Sequence, residues 1–199
     1  HLNGLLLGEG EVRVGGVAVT RQTLKEIRRR VGVVFQDPDD QLFCPTLEAD
    51  VAFGPRNFGV SEEEIERRIA SALELVGLSA QRKRPHFQLS FGERKRAALA
   101  TVLSCQPDVL VLDEPSANLD PRNRRRLVNW LRSGPGTVLI ATHDLDLALE
   151  ATDRCILLAG GRVVASGPSE RILRDKKLLE AHALELPLRL QGWEGSPCG

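Results

Sequence analysis

Three times along this chain a short aliphatic run stops abruptly at polar residues: Val31-Gly-Val-Val-Phe35 before Gln36-Asp37-Pro38, Val109-Leu-Val-Leu112 before Asp113-Glu114-Pro115, and Thr137–Ala141 before Thr142-His143. Runs of this length, bounded by turn residues and separated by helical patterns, predict strands of a parallel sheet covered by helices on both faces. Ligands of such sheets gather outside the carboxyl ends of the strands. Gln36, Asp113, Glu114 and His143 are therefore expected on one rim.

The intervals between these runs read as helices. Ser61 and Glu64 predict a capping box, and Ile65, Ile69, Ala72, Leu73 and Val76 share one face before Gly77 ends the helix. Further helices are expected near Thr23 to Arg30, from Leu47 to Phe53 behind a Thr46 cap, from Ser90 to about Cys105, and over Pro121–Leu131 and Leu145–Ala151. A strand from Cys155 to Leu158 completes the alternation. Glu11–Val14 and Val17–Val19 flank Gly15-Gly16, the pattern of a tight hairpin. His1 to Leu7 reads as the tail of an apolar helix, and Leu178, Leu179, Leu184 and Leu186 as a terminal helix before a loose stretch from Gly192 to Gly199.

Composition narrows the class. A chain of 199 residues with 42% hydrophobic content suits one domain of one or two lobes. Twenty-seven Lys and Arg balance twenty-seven Asp and Glu, so no overall field draws it to nucleic acid or anionic lipid. No apolar run approaches the roughly 20 residues needed to span a bilayer, and the first ten residues do not read as a secretory leader, so a cytosolic protein is expected. Cys44, Cys105, Cys155 and Cys198 lie far apart, without a C-x-x-C pair or a neighbouring His cluster, and read as reduced thiols. The sequence contains no methionine, and the natural N-terminus is expected to lie upstream of His1.

Two motifs carry chemistry. Paired acids after a buried strand suit nucleotide hydrolysis, with Asp113 as the metal residue and Glu114 as the base for an attacking water; by themselves they are equally the solvated end of a strand. Leu89-Ser-Phe-Gly-Glu93 places a helix start at Ser90, where free N–H groups and the helix dipole favour a phosphate and Gly92 permits close approach. The Ser90–Glu93 capping box explains the same residues without a ligand.

Taken in order, Gln36, Leu89 to Glu93, Val109 to Pro115, Ser116-Ala-Asn-Leu-Asp120 and Thr142-His-Asp144 resemble the Q-loop, signature, Walker B, D-loop and H-switch of ABC ATPases. The resemblance covers nearly the whole chain. It implies an α/β fold with a P-loop NTPase-type (RecA-like) parallel sheet core and an inserted helical subdomain. The core would comprise residues 1–36 and 107–175 with the small antiparallel hairpin, the subdomain about 37–106, and the C-terminal helix and tail 176–199. It further implies a head-to-tail pair of ATPase subunits enclosing two ATP molecules with Mg2+. Gln36 would then reach the Mg2+ or the attacking water, Asp113 support the metal, Glu114 polarise the water and His143 touch the γ-phosphate. Ser90 and Gly92, with Phe91 and Glu93 beside them, would meet the nucleotide of the other subunit, and Asp120 would cross the interface. Phe35 to Phe43 and Asp50-Val-Ala-Phe-Gly-Pro55 are similar to the ATPases of energy-coupling factor and cobalt or nickel importers. That resemblance implies an integral membrane partner, a place at the cytoplasmic face of the membrane, and no nucleic acid.

Some residues depart from the family pattern. Phe91 replaces the usual glycine, Glu93 the usual glutamine, and Asn118 stands where glycine is common. No G-x-x-x-x-G-K-[ST] occurs, so the loop that cradles the β- and γ-phosphates is missing together with its strand. The 199 residues alone are expected neither to bind ATP tightly nor to hydrolyse it. Two other functions compete: a non-transport ABC ATPase acting on DNA or the ribosome, which the lack of a coiled-coil stretch or basic tail disfavours, and a non-catalytic module, which the retained Asp113 and Glu114 disfavour.

Overall fold

A computed structural model describes residues 1–6, 8–134 and 136–191. The Gly192 to Gly199 stretch and Cys198 lie outside the described residues. The chain forms two compact units, His1–Asp120 with Pro135–Ala141, and Pro121–Gly134 with Thr142–Gly199.

In the first unit, β1 (Arg13–Val14) pairs antiparallel with β2 (Val17–Ala18). Gly15 and Gly16 between them take φ of 53° and 81°, the left-handed pair that a type I′ hairpin turn requires. After α1 (Leu24–Arg30) come β3 (Val31–Val34), β4 (Val109–Asp113) and β5 (Thr137–Ala141). They pair in parallel in the order β3-β4-β5, with Val34 opposite Leu112 and Asp113 opposite Ala141. Val14, Ile27 and Val31 are buried with Val33, Val109 and Val111 packed against them. The predicted parallel strands thus form where β-branched runs meet turn residues.

A helical core separates β3 from β4 in sequence. It comprises α2 (Leu47–Asn57), α3 (Glu62–Leu75) and α4 (Phe91–Leu103), which enclose Leu47, Val51, Ile65, Ile69, Leu73, Leu78, Leu89 and Ala97. The face expected on α3 is the buried one. At its end Gly77, at φ 69°, lets the Leu78 N–H bond to Leu73 O at 2.8 Å and the Gly77 N–H to Glu74 O at 3.0 Å, a Schellman closure. Only half of the expected Ser61–Glu64 capping box forms: Ser61 accepts from the Glu64 N–H, while the Glu64 carboxylate turns to Arg67 and Arg68, each at 2.8 Å.

Helix α2 runs four residues past the expected end at Phe53, through Pro55. Proline has no N–H to give the carbonyl one turn back. Here Val51 O instead accepts the Ser104 hydroxyl, just past α4, at 2.7 Å. Close approach of α4 to the sheet also fixes Gly32, where a Cβ would collide with the Val102 and Pro107 side chains.

Two further expectations change. Residues 1–6 form turns and bends rather than the tail of a helix, because Gly4 sits at φ 68°, outside right-handed helical space. Residues 155–158 do not extend the parallel sheet. They belong to β6 (Arg154–Ala159), which pairs antiparallel with β7 (Arg162–Pro168) across Gly160-Gly161, again both at positive φ.

The second unit also holds α5 (Pro121–Ser133), α6 (Leu145–Ala151), α7 (Ser169–Leu173) and α8 (Lys176–Ala181). Leu147, Ile172, Leu173 and Leu179 are buried in it, and Arg124 pairs with Asp144 at 3.3 Å and Glu150 at 3.2 Å. Leu179 realises the expected terminal helix, now α8; Leu184 and Leu186 follow beyond its end. Among the described residues no helix is long and apolar enough to cross a membrane.

Candidate active site at the carboxyl ends of the strands

Parallel pairing of β3 with β4 sets the rim of the first unit. Val34 and Leu112 are register partners, so the segments that carry Gln36, two residues beyond Val34, and Asp113-Glu114 both leave the sheet at its carboxyl edge. Asp113 is the last residue of β4 and is exposed.

The turn after β3 is tied down by two side chains. Asp37 Oδ1 accepts the Asp39 N–H at 2.9 Å. Gln41 Oε1 accepts the Phe35 N–H at 3.1 Å, while its Nε2 donates to Ala98 O and Thr101 Oγ1, both at 2.7 Å, on α4. Gln36 itself is exposed.

Glu114 has an unusual backbone. Its φ of 44° is left-handed, a conformation costing a non-glycine residue roughly 1–2 kcal/mol. Hydrogen bonds on both sides hold it there: its N–H donates to Ala141 O at 2.9 Å, and its carbonyl accepts Lys95 Nζ at 2.9 Å and the Ala117 N–H at 3.2 Å. Asn118, at φ 58°, occupies a second left-handed position, which asparagine tolerates better than most residues; this accounts for its standing in for glycine.

Helix α4 begins as a self-satisfied tip. The Ser90 N–H and hydroxyl donate to Glu93 Oε2 at 2.8 and 2.9 Å, and the Glu93 N–H returns to Ser90 Oγ at 3.3 Å. The backbone N–H of Ser90, then its hydroxyl, hold the Glu93 carboxyl below its usual pKa. The Phe91 ring lies beneath two cations, Arg94 at 5.6 Å and Lys95 at 5.8 Å from its centroid. Gly92 follows in the first turn.

The first unit thus brings Gln36, Asp113 and Glu114 to one rim and also carries Ser90, Phe91, Gly92, Glu93 and, as its last residue before Pro121, the exposed Asp120. His143 belongs to the second unit, two residues along the chain from Ala141. Sequence reasoning missed Lys95 and Gln41. Lys95 is half-buried; burial pushes its pKa down, while the carboxylates of Glu114, Asp37 and Asp113 pull it up. Gln41 had a weak signal in the distinctive Phe35 to Phe43 stretch, Lys95 none.

Among the described residues no group of three or more His, Cys, Asp or Glu gathers to hold a metal by itself. One exposed carboxylate at the rim nevertheless suits Mg2+, which takes one or two carboxylates and completes its shell with phosphate oxygens and water. Among the described residues the cysteines Cys44, Cys105 and Cys155 are free thiols. Burial, reinforced by the charge of Asp50, pushes Cys44 up to about 11.

A parallel sheet with paired acids at its rim and an inserted helical core is the plan of a P-loop-type nucleoside triphosphatase, and comparison with known proteins gives the family. The sequence pattern of the ABC transporter family matches residues 2–117. An ABC transporter ATP-binding protein of Gloeobacter violaceus is 56% identical over 193 residues, 96% of this chain and 79% of the relative. The energy-coupling factor transporter ATP-binding protein EcfA of Carboxydothermus hydrogenoformans is 46% identical over 198 residues, 98% and 73% of the two chains. Among solved structures, cbiO1 of Clostridium perfringens, described as part of the ABC transporter complex cbiONQ, superposes with a TM-score of 0.77 at 34% identity, covering 90% of this chain and 74% of that one. The ATP-binding cassette MJ0796, in a dimeric post-hydrolysis state with ADP and Pi, gives 0.69 at 26% identity over 81% and 74%. The chain belongs to the ABC transporter family, as an ATP-binding subunit with the ABC ATPase fold.

Proposed function

We propose that this subunit hydrolyses ATP as one half of an ATPase pair and so drives import through an integral membrane partner of the energy-coupling factor or cobalt/nickel type. The observation that carries the reading is Glu114, held in a left-handed turn at the strand rim beside Asp113. In this scheme Glu114 accepts a proton from the attacking water, Gln36 and His143 orient the water and the γ-phosphate, and Asp113 would hold Mg2+, which when bound would supply positive charge toward the phosphoryl oxygens. Ser90, Gly92 and their neighbours Phe91 and Glu93 face the nucleotide of the second subunit, with Asp120 at the shared boundary.

The names of EcfA and of cbiO1, part of a cbiONQ complex, support the importer type. The dimeric MJ0796 supports the pair. Phe43 and Phe53 support a protein partner. They are 62% and 47% exposed and stack edge to face at 4.9 Å, an apolar knob in the stretch that resembles importer ATPases. Docking there would place the subunit at the cytoplasmic face of the membrane. Balanced charge favours that protein surface over nucleic acid.

The test is ATP turnover by the full-length gene product with its membrane partner. Glu114→Gln should slow hydrolysis by about 10² to 10⁴ while ATP-dependent pairing persists. Unchanged turnover would remove Glu114 from the role of base. Protein limited to these 199 residues, which contain no phosphate-cradling Gly-Lys loop, should show no turnover.

A further inference from the structure

We infer that Lys95 is a positioning residue that aims Glu114, and through it ties the catalytic rim to the signature helix. The inference rests on the proposed role of Glu114 and adds a residue to it.

Three consecutive cations on α4 are committed to three different places. Arg94 Nη1 donates to Leu89 O at 2.9 Å, Arg96 Nε to Val76 O at 3.0 Å, and Lys95 Nζ to Glu114 O at 2.9 Å. Arg94 also pairs with Asp39 in the turn after β3 at 3.0 Å and Arg96 turns to the end of α3, whereas Lys95 reaches to the end of β4. There it meets the carbonyl of a residue in a left-handed conformation whose own N–H is already fixed by Ala141 O on β5. Fixing both peptides that flank a residue fixes the direction of its Cα–Cβ bond, and with it where the carboxylate starts. The ammonium lies over the Phe91 ring, 5.8 Å from its centroid, and within electrostatic reach of Asp37, Asp113 and Glu114, so its position is set from α4, the turn after β3 and the end of β4 at once.

Gln41 makes a parallel link, joining the Phe35 N–H at the end of β3 to Ala98 and Thr101 on the same helix. Helix α4 is therefore bonded to the rim beside both proposed catalytic side chains of the first unit. A displacement of its tip, where Ser90 waits for a nucleotide, shifts the anchor of Glu114.

The experiment uses the full-length gene product carrying Lys95→Met, which keeps the aliphatic stem but removes the donor, and Lys95→Arg, which keeps a donor. Lys95→Met should lower kcat by about 10- to 100-fold while KM for ATP stays within about twofold; Lys95→Arg should recover most of kcat. Deuterium exchange supplies a readout independent of turnover. The segment 113–120 should exchange about tenfold faster in Lys95→Met than in wild type, with α3 unchanged as the internal control. Wild-type kcat and unchanged exchange in Lys95→Met overturn the inference. So does equal acceleration in α3, or a loss seen in KM alone. If Lys95→Met does not fold, Lys95→Gln, too short to reach, carries the same two readouts. A wild-type turnover insensitive to Glu114→Gln sinks the hydrolytic reading instead, and the exchange measurement still decides whether Lys95 holds the turn.

Discussion

Replacing Ser104 by alanine removes one hydroxyl and strands one carbonyl. Val51 O should accept from the N–H four residues on, but that residue is Pro55, and the Ser104 hydroxyl fills the vacancy at 2.7 Å. Val51 and Ser104 are 0% and 1% exposed, so water cannot take over. An orphaned buried carbonyl costs about 1–3 kcal/mol. For a chain of this size each kcal/mol lowers Tm by about 2–4 °C, so a cost of about 2 kcal/mol predicts a fall of about 4–8 °C. The decisive arm is the double-mutant cycle. Pro55→Ala restores an N–H to the helix, so in that background Ser104→Ala should cost about 1–2 kcal/mol less, a coupling well above the error of urea unfolding. Changes that Pro55→Ala makes in the unfolded chain cancel in the cycle. Equal costs of Ser104→Ala in both backgrounds would refute the claim that the serine substitutes for the missing helical donor.

Gly32→Ala drives a methyl into Val102 and Pro107 and should cost about 1–3 kcal/mol, read as a lowered urea midpoint; an unchanged midpoint means that α4 yields more easily than its packing implies. Glu48, whose carboxyl is held below its usual pKa by hydrogen bonds from Lys83 and then Arg82, stabilises the fold above the unfolded pKa of about 4.3 and loses that contribution as pH falls through its folded value. Glu48→Gln should therefore destabilise by about 0.5–1 kcal/mol at pH 7 and progressively less as the pH falls below about 4, a trend refuted if the unfolding curves diverge equally across that range.

The parallel strands were legible because each couples a β-branched stretch to a polar terminus, and local chemistry decides both ends. The buried face of α3 was legible for a similar reason: five apolar residues at helical spacing, closed by Gly77, leave few alternatives. What escaped depends on partners far away in the chain. Pro55 reads as a stop, and only the hydroxyl 53 residues later shows why α2 continues. Lys95 is one of three adjacent cations, and nothing local says that its ammonium crosses to a carbonyl 19 residues on. The β6–β7 hairpin is a different case, since Gly160-Gly161 repeats the signal read at Gly15-Gly16 and was outweighed by the alternation of strands and helices. Of the proposed site residues, the rim placement of Gln36, Asp113 and Glu114 follows from strand ends alone, whereas the left-handed backbone of Glu114 has no sequence marker.

At the tip of α4 the serine hydroxyl and the carboxylate three residues on are already each other's partners. Any anion coming to that serine finds the seat taken by a resident of its own sign, tethered and therefore always at hand. The helix start is thus complete in itself, and an anion binding at Ser90 would first have to displace the Glu93 carboxylate.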